Sequence, residues 1–181
     1  ITAIPHGVES RFHPQSQTEI ERVRTAYELP EEFVLYLGIN KPHKNLVNLI
    51  HAYAMLTANA PSLVIAGAWD NRYPEAKSLV VELGLTESVR FLGSVNDADL
   101  QGLYSTATVF VFPSRYEGFG FPVLEAMACG LPVITSNVSS LPELVGNAEI
   151  QVDPKNIEQI ALALRTTLAS PEFRGSMREA G

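Results

Sequence analysis

A single cysteine, Cys129, stands among 181 residues. That excludes a disulfide framework, and a lone thiol inside an apolar stretch packs as a small hydrophobe. Long apolar runs are missing as well: none approaches the roughly 18 residues that a membrane-spanning helix needs. Basic charge is scarce. Thirteen Lys and Arg face 20 Asp and Glu, and the net charge of -7 argues against nucleic acid as the main partner. The four histidines share no metal-ligand spacing. No serine sits in a G-x-S-x-G elbow, and G-F-G at 118–120 completes no G-x-G-x-x-G. Zinc chemistry and nucleophilic serine chemistry therefore drop out. Asp-Ala-Asp at 97–99 resembles a metal-binding pair, but it opens a helical stretch after Asn96, where acidic residues are ordinary. No metal ligands are expected. Repeats, low-complexity tracts and charge blocks are also lacking. The chain starts at Ile1 with no basic-then-apolar leader, so it reads as a piece of something longer, expected in the cytoplasm.

What is present fits one domain. An apolar share of 46% and a charged share of 18% suit a globular protein, and this length buries about 70% of the unfolded surface. Residues 1–14 read as a linker-like entry with a short strand and a Pro-His-Gly-Val turn. A helix is expected over 18–29, stopped by Pro30. Strands then alternate with helices. FVLYLG (33–38), SLVIAGA (62–68), VRFLG (89–93), TVFVF (108–112), PVIT (132–135) and AEIQVD (148–153) are the strands. Helices are expected over 46–58, 74–84, 97–107, a short stretch before Gly146, 156–170 and from 171 onward. Leu46, Leu49, Ile50, Tyr53 and Ala54 form the apolar face of the first of these, with Asn45 as its cap. Six strands so arranged predict an α/β fold with a mostly parallel sheet covered on both faces.

The chain is organised around PSRYEGFGFPVLEAMACGLPVIT, residues 113–135. A buried strand ends at Pro113-Ser114. Gly118 and Gly120 then allow positive φ or close approach of a ligand. Pro122 suits the first turn of a helix and Gly130 its stop. Strand, glycine loop, helix, strand is a unit whose helix start points amides at an anion. Glu125 is the only charged side chain between 118 and 135, on a helix of Val, Leu, Ala, Met and Cys. A buried carboxylate needs a partner. Two readings are open: it answers its own helix amides or an arginine, or it accepts from ligand hydroxyls. Glu117, eight residues earlier, brackets the same loop. Lys41, His43 and Lys44 gather where a strand ends and a helix starts, either as a solvated loop or as a ligand contact.

These blocks resemble the nucleotide-sugar motif of family 4 retaining glycosyltransferases, whose GT-B fold sets two Rossmann-like domains across a cleft. The carriers are the Glu-x7-Glu around GFG, the entry IPHGV, LYLGINKPHKN, and SSLPELVGNAEIQVDP. The similarity runs along the whole chain and matches the C-terminal, donor-binding half. It implies that Glu117 contacts the transferred sugar as the catalytic glutamate and that Glu125 holds the ribose hydroxyls. Gly118, Phe119, Gly120 and Phe121 would offer amides to sugar and diphosphate, and Gly38 would end the strand beside them. Lys44 would face the phosphates. Residues 91–95, Val95 included, would border the base. No cofactor beyond the nucleotide-sugar donor is implied.

One departure is visible. Many relatives carry arginine directly after the strand glycine, where this chain has Ile39, so His43, Lys41 or Arg115 would have to help. The Pro-His-Lys-Asn loop end, as in mannosyltransferases, favours GDP-mannose, with a UDP-sugar as the alternative. The acceptor, a saccharide or a lipid-linked sugar, would meet a further N-terminal domain, through which any peripheral membrane contact would also run. The family's final crossing helix would lie past residue 181. A fragment of this kind is expected to bind donor without transferring sugar. The other readings are a non-catalytic nucleotide-binding module and another GT-B enzyme, an epimerase or phosphorylase.

Overall fold

The computed structural model describes residues 6–181, so the short strand expected in the first few residues lies outside it. Eight α-helices and six strands follow in order. They are α1 (Gln17–Ala26), β1 (Phe33–Leu37), α2 (Leu46–Ala54), β2 (Ser62–Ala66), α3 (Glu75–Glu82), β3 (Val89–Gly93) and α4 (Leu100–Thr106). Then come β4 (Val109–Phe112), α5 (Phe121–Ala128), β5 (Val133–Ser136), α6 (Leu141–Val145), β6 (Ile150–Val152), α7 (Ile157–Ala169) and α8 (Pro171–Ala180). The strands form one sheet in the order β3-β2-β1-β4-β5-β6, and every pairing is parallel rather than mostly so. Strand order reverses between β1 and β4, paired through Val34–Val109 and Leu35–Phe110. A crevice must open there, beyond the strands' carboxyl ends, because the connections from those two strands leave in opposite directions.

The strands are apolar throughout because both faces are covered. Along β1, Val34 and Tyr36 join a core built with α2, α3 and α7, while Phe33 and Leu35 join one built with α1, α4, α5 and α6. This is the two-residue alternation of a pleated strand serving two layers.

Several boundaries moved for local reasons. Helix α1 starts at Gln17 because Ser16 Oγ accepts from the Glu19 amide, and it ends at Ala26, with Glu28 left-handed at φ 51°. Helix α2 stops at Ala54, which is exposed; Ala52 is buried in its place. The helix packs on α3 and α7 as well as the sheet, so its buried arc is displaced from the expected face. Asp97–Asp99 is a 3-10 turn leading into α4 rather than part of it.

Candidate donor site at the switch point

Three loops meet above the crevice, and a single buried amide ties them. Asn45 takes a left-handed conformation (φ 64°) at the start of α2, but its side chain does not cap the helix as expected. Its Nδ2 donates to the carbonyls of Pro113 (2.9 Å) and Pro154 (2.6 Å), and its Oδ1 accepts from Arg115 Nε at 2.9 Å. Arg115 also donates its backbone N–H to the His43 carbonyl at 2.7 Å. The segments following β1, β4 and β6 are thereby locked together. Capping lost because the Pro113 carbonyl would otherwise have no partner among the described residues, whereas the Pro154 carbonyl also accepts from Asn48 Nδ2 at 3.0 Å.

Across this junction Lys44 Nζ lies 2.7 Å from Glu117 Oε1, with side-chain exposures of 17% and 12%. The ammonium also sits 5.1 Å from the Phe112 ring centroid. Glu117 is fixed through its backbone. Its N–H donates to Ser139 Oγ, and its carbonyl accepts from the hydroxyls of Ser139 (2.6 Å) and Ser140 (3.2 Å). The two side chains assigned by resemblance to phosphate and sugar thus neutralise each other, 73 residues apart in sequence.

The next four amides, of Gly118, Phe119, Gly120 and Phe121, donate to nothing among the described residues. They run into the first turn of α5, where Pro122 has no N–H and the Val123 N–H is taken by the Gly120 carbonyl. Unpaired donors at a helix start favour an anion. Gly120 has φ 116°, and a Cβ there would stand 2.7 Å from Leu141 Cδ2. Of the two expected uses of glycine, Gly118 does not take the positive φ, and the open space around it leaves room for close approach. Gly130 ends the helix at φ 70°, with Leu131 N–H donating to the Ala126 carbonyl and Gly130 N–H to that of Met127.

Glu125 is half-buried on α5, and its direct partner is neither its own helix start nor an arginine. Tyr104 on α4, fully buried, donates its hydroxyl to Glu125 Oε2 at 2.9 Å. Burial raises the Glu125 pKa above the usual carboxylate value, and the Tyr104 hydrogen bond opposes that rise. Glu117 and Glu125 therefore have separate partners. Val95 is half-buried against the α4–α5 core, while His43 and Arg115 are exposed and Ile39 half-buried. Gly38, with Gly67, Trp69, Lys77, Phe91 and Gly93, lines a cavity of about 200 Å³ over the ends of β1, β2 and β3. A second cavity, about 300 Å³, has Lys41 and Arg115 in its wall but not Lys44. Among the described residues, Lys44 is the one cation paired with Glu117.

The acidic pair at 97–99 is engaged by arginines. Arg11 holds Asp97 through both carboxylate oxygens, and Asp99 pairs with Arg22 and accepts from Tyr27 at 2.7 Å. Cys129 packs in the core, its thiol pushed up to about 12 chiefly by burial. Two groups escaped sequence reasoning. Tyr104 looked like one more apolar position of its helix. Glu149 is buried beside β5, accepts from the Val133 N–H at 2.8 Å, and burial pushes its pKa up to about 7. Its only sequence signal was a charge inside an expected strand, AEIQVD.

Comparison with known proteins agrees with this fold. Residues 17–181 match the family described as glycosyl transferases group 1. The O-antigen chain mannosyltransferase B of Escherichia coli is 40% identical over 172 residues, covering 91% of this chain and 44% of its own. Sucrose-phosphate synthase from Thermosynechococcus elongatus superposes with a TM-score of 0.85 at 32% identity, over 98% of this chain and 46% of its own. The C-terminal domain of a group 1 glycosyl transferase from Francisella tularensis shares the fold at a TM-score of 0.81 and 22% identity, covering 96% of this chain and 94% of its own. The chain spans less than half the length of the mannosyltransferase and the synthase, and its match to the third is a match to an isolated domain. Matched to that family over residues 17–181 and built on an all-parallel doubly wound sheet, the chain belongs to the glycosyl transferases group 1 family.

Proposed function

We propose that this chain is the donor-binding half of a retaining glycosyltransferase. The full-length protein would move a hexose, mannose favoured, from a nucleoside-diphosphate sugar to a saccharide or lipid-linked acceptor. Residues 15–181 form the Rossmann-like unit, and residues 1–14 are the entry from a preceding domain that would carry the acceptor groups. The single observation that supports this most is the junction at the switch point. Lys44 and four amides, at 118–121, that donate to nothing among the described residues stand beside a glutamate that holds the lysine in waiting. The resemblance of mannose-transferring relatives, such as the Escherichia coli protein, favours GDP-mannose as donor.

In this reading Lys44 and the amides of the α5 start neutralise the diphosphate, both before and after the sugar leaves. Glu117 meets the sugar once Lys44 turns to phosphate, and Glu125 accepts from the ribose hydroxyls. No metal is needed in this reading, because Lys44 and the helix amides carry the neutralisation, and Asp97 and Asp99 are engaged by Arg11 and Arg22.

A thermal-shift panel of GDP, UDP and ADP, each with and without its sugar, tests the proposal. At 100 times its dissociation constant a nucleotide adds about 2.7 kcal/mol, which for this size is a shift of roughly 5–10 °C. GDP should give the largest shift, equally in chelator. No shift from any nucleotide would overturn the reading, and a shift that needs magnesium or manganese would overturn its metal-free part.

A further inference from the structure

Glu125 lies on a helix whose neighbouring side chains are apolar, and among the described residues its one direct side-chain partner is a phenol that no sequence pattern pointed to. The Tyr104 hydroxyl donates to Oε2 at 2.9 Å from a side chain with no exposure at all. The ring is held edge-on by Phe110 at 5.6 Å and Phe12 at 6.2 Å between centroids, so it has little room to move. A carboxylate has about four acceptor sites. Tyr104 occupies one on Oε2, which leaves Oε1 and the remaining lone pair of Oε2 to accept from a ligand.

We propose that Tyr104 is a positioning residue for donor binding: its buried hydroxyl holds the Glu125 carboxylate in the orientation that receives two vicinal ribose hydroxyls. This rests on the donor-site reading above. The geometry gives the phenol two tasks. It fixes the carboxylate's rotation, so ribose meets a preformed pair of acceptors rather than a rotor that must be ordered on binding. It also favours the charged form of a group whose surroundings favour the neutral one, and a protonated Glu125 would lose acceptor strength.

The charged and titratable groups that bear on this pair are Arg11 and Glu9 from the entry segment, Asp97 from the turn before α4, and Cys129 at the end of α5. Arg11 lowers the Glu125 pKa, whereas Asp97 and Glu9 raise it, and all three act from a distance rather than by contact. Tyr104 itself stays protonated, since burial and the adjacent carboxylate hold its pKa well above the usual phenol value. Removing the hydroxyl therefore moves the Glu125 pKa further up, and GDP affinity should begin to fall at a higher pH on the acid side.

The test measures binding of GDP, 2′,3′-dideoxy-GDP and pyrophosphate to this chain between pH 5 and 8. Three proteins are compared: unaltered, Tyr104→Phe and Glu125→Gln. Tyr104→Phe should weaken GDP about tenfold at pH 7 and shift its acid limb upward, while leaving dideoxy-GDP and pyrophosphate unchanged. Replacing Tyr104 by 3,5-difluorotyrosine, a stronger donor of nearly the same shape, should shift the acid limb downward, which a packing role alone would not do. This second replacement keeps the test open should Tyr104→Phe fold poorly. Equal loss of all three ligands in Tyr104→Phe, or no loss of GDP, would overturn the positioning role. If Glu125→Gln also leaves GDP binding intact, the donor-site assignment of Glu125 fails as well, and the two failures are told apart by that variant.

Discussion

Glu117→Gln should tighten GDP, an outcome opposite to that of most substitutions in a binding site. Without ligand, Lys44 is held by Glu117 at 2.7 Å in a pair with 17% and 12% exposure. A diphosphate that recruits Lys44 must first take it from this carboxylate. An exposed pair contributes about 0–1 kcal/mol, and breaking a fully buried one costs about 3–5 kcal/mol. This pair lies between, so the competition should cost GDP about 1–2 kcal/mol, or roughly five- to thirtyfold in affinity. Glu117→Gln removes that competition and leaves the shape nearly unchanged. Calorimetric titration in low salt with chelator reads the effect, alongside the ligand-free melting temperature, which should fall because Lys44 loses its partner. Glu117 also repels phosphate through space, and a double-mutant cycle separates the two causes. Lys44→Ala alone should weaken GDP tenfold or more. In the Lys44→Ala background the gain from Glu117→Gln should largely vanish if direct competition causes it, and persist if simple repulsion does. Unchanged or weaker GDP binding in Glu117→Gln would refute the reasoning, because Lys44 would then not be shared between carboxylate and phosphate. GDP-mannose should gain less than GDP, since the variant also loses a sugar contact.

Other outcomes follow from single groups. Glu149 has its folded pKa pushed up to about 7, above the usual carboxylate value, so the folded state holds the proton more tightly than the unfolded chain. Stability should therefore be full below about pH 4.5 and fall as pH rises toward 7, by at most about 1.4 kcal/mol per unit. Melting curves of Glu149→Gln should lack that decline, and superposable pH profiles would count against it. Gly120→Ala should lower the melting temperature by several degrees, because φ is 116° and its Cβ would press on Leu141, a cost of about 1–3 kcal/mol. Gly118→Ala, with open space around it, should leave the melting temperature alone and affect only ligand affinity; equal destabilisation by both would contradict the loop geometry. Asn45→Ala strands the Pro113 carbonyl, leaves the Pro154 carbonyl with Asn48 alone and frees the Arg115 side chain, so it should destabilise by about 1–3 kcal/mol in urea unfolding, and a change under 0.5 kcal/mol would sink the junction's structural role.

Much of this molecule is written locally. Strand and helix order follows from two periodicities and from Gly and Pro breakers, and each element appears within a few residues of where pattern alone puts it. The errors have local causes too. The Ser16 cap pulled α1 forward, and packing on α3 and α7 turned the buried arc of α2 from Ala54 to Ala52. Lys44, Glu117 and Glu125 were each conspicuous as charges in loops or on an apolar helix. Asn45 was misjudged because a side chain at a helix start reads as a cap when nothing shows the carbonyls of distant loops above it.

The sequence by itself determined the element types, the parallel α/β class and the identity of the chemical groups, since backbone preference and burial pattern act over a few residues. Only the tertiary structure decided which strands lie side by side, and with that the position of the crevice between β1 and β4. It alone brought Lys44 to Glu117 across 73 residues and Tyr104 to Glu125 across 21. It also buried Glu149 against β5, shifting the acidity of a residue that looks ordinary in the chain. The physical reason is common to all of these. Periodicity states which face of an element is buried but not what it is buried against, and a charge's partner, its orientation and its pKa depend on that second fact.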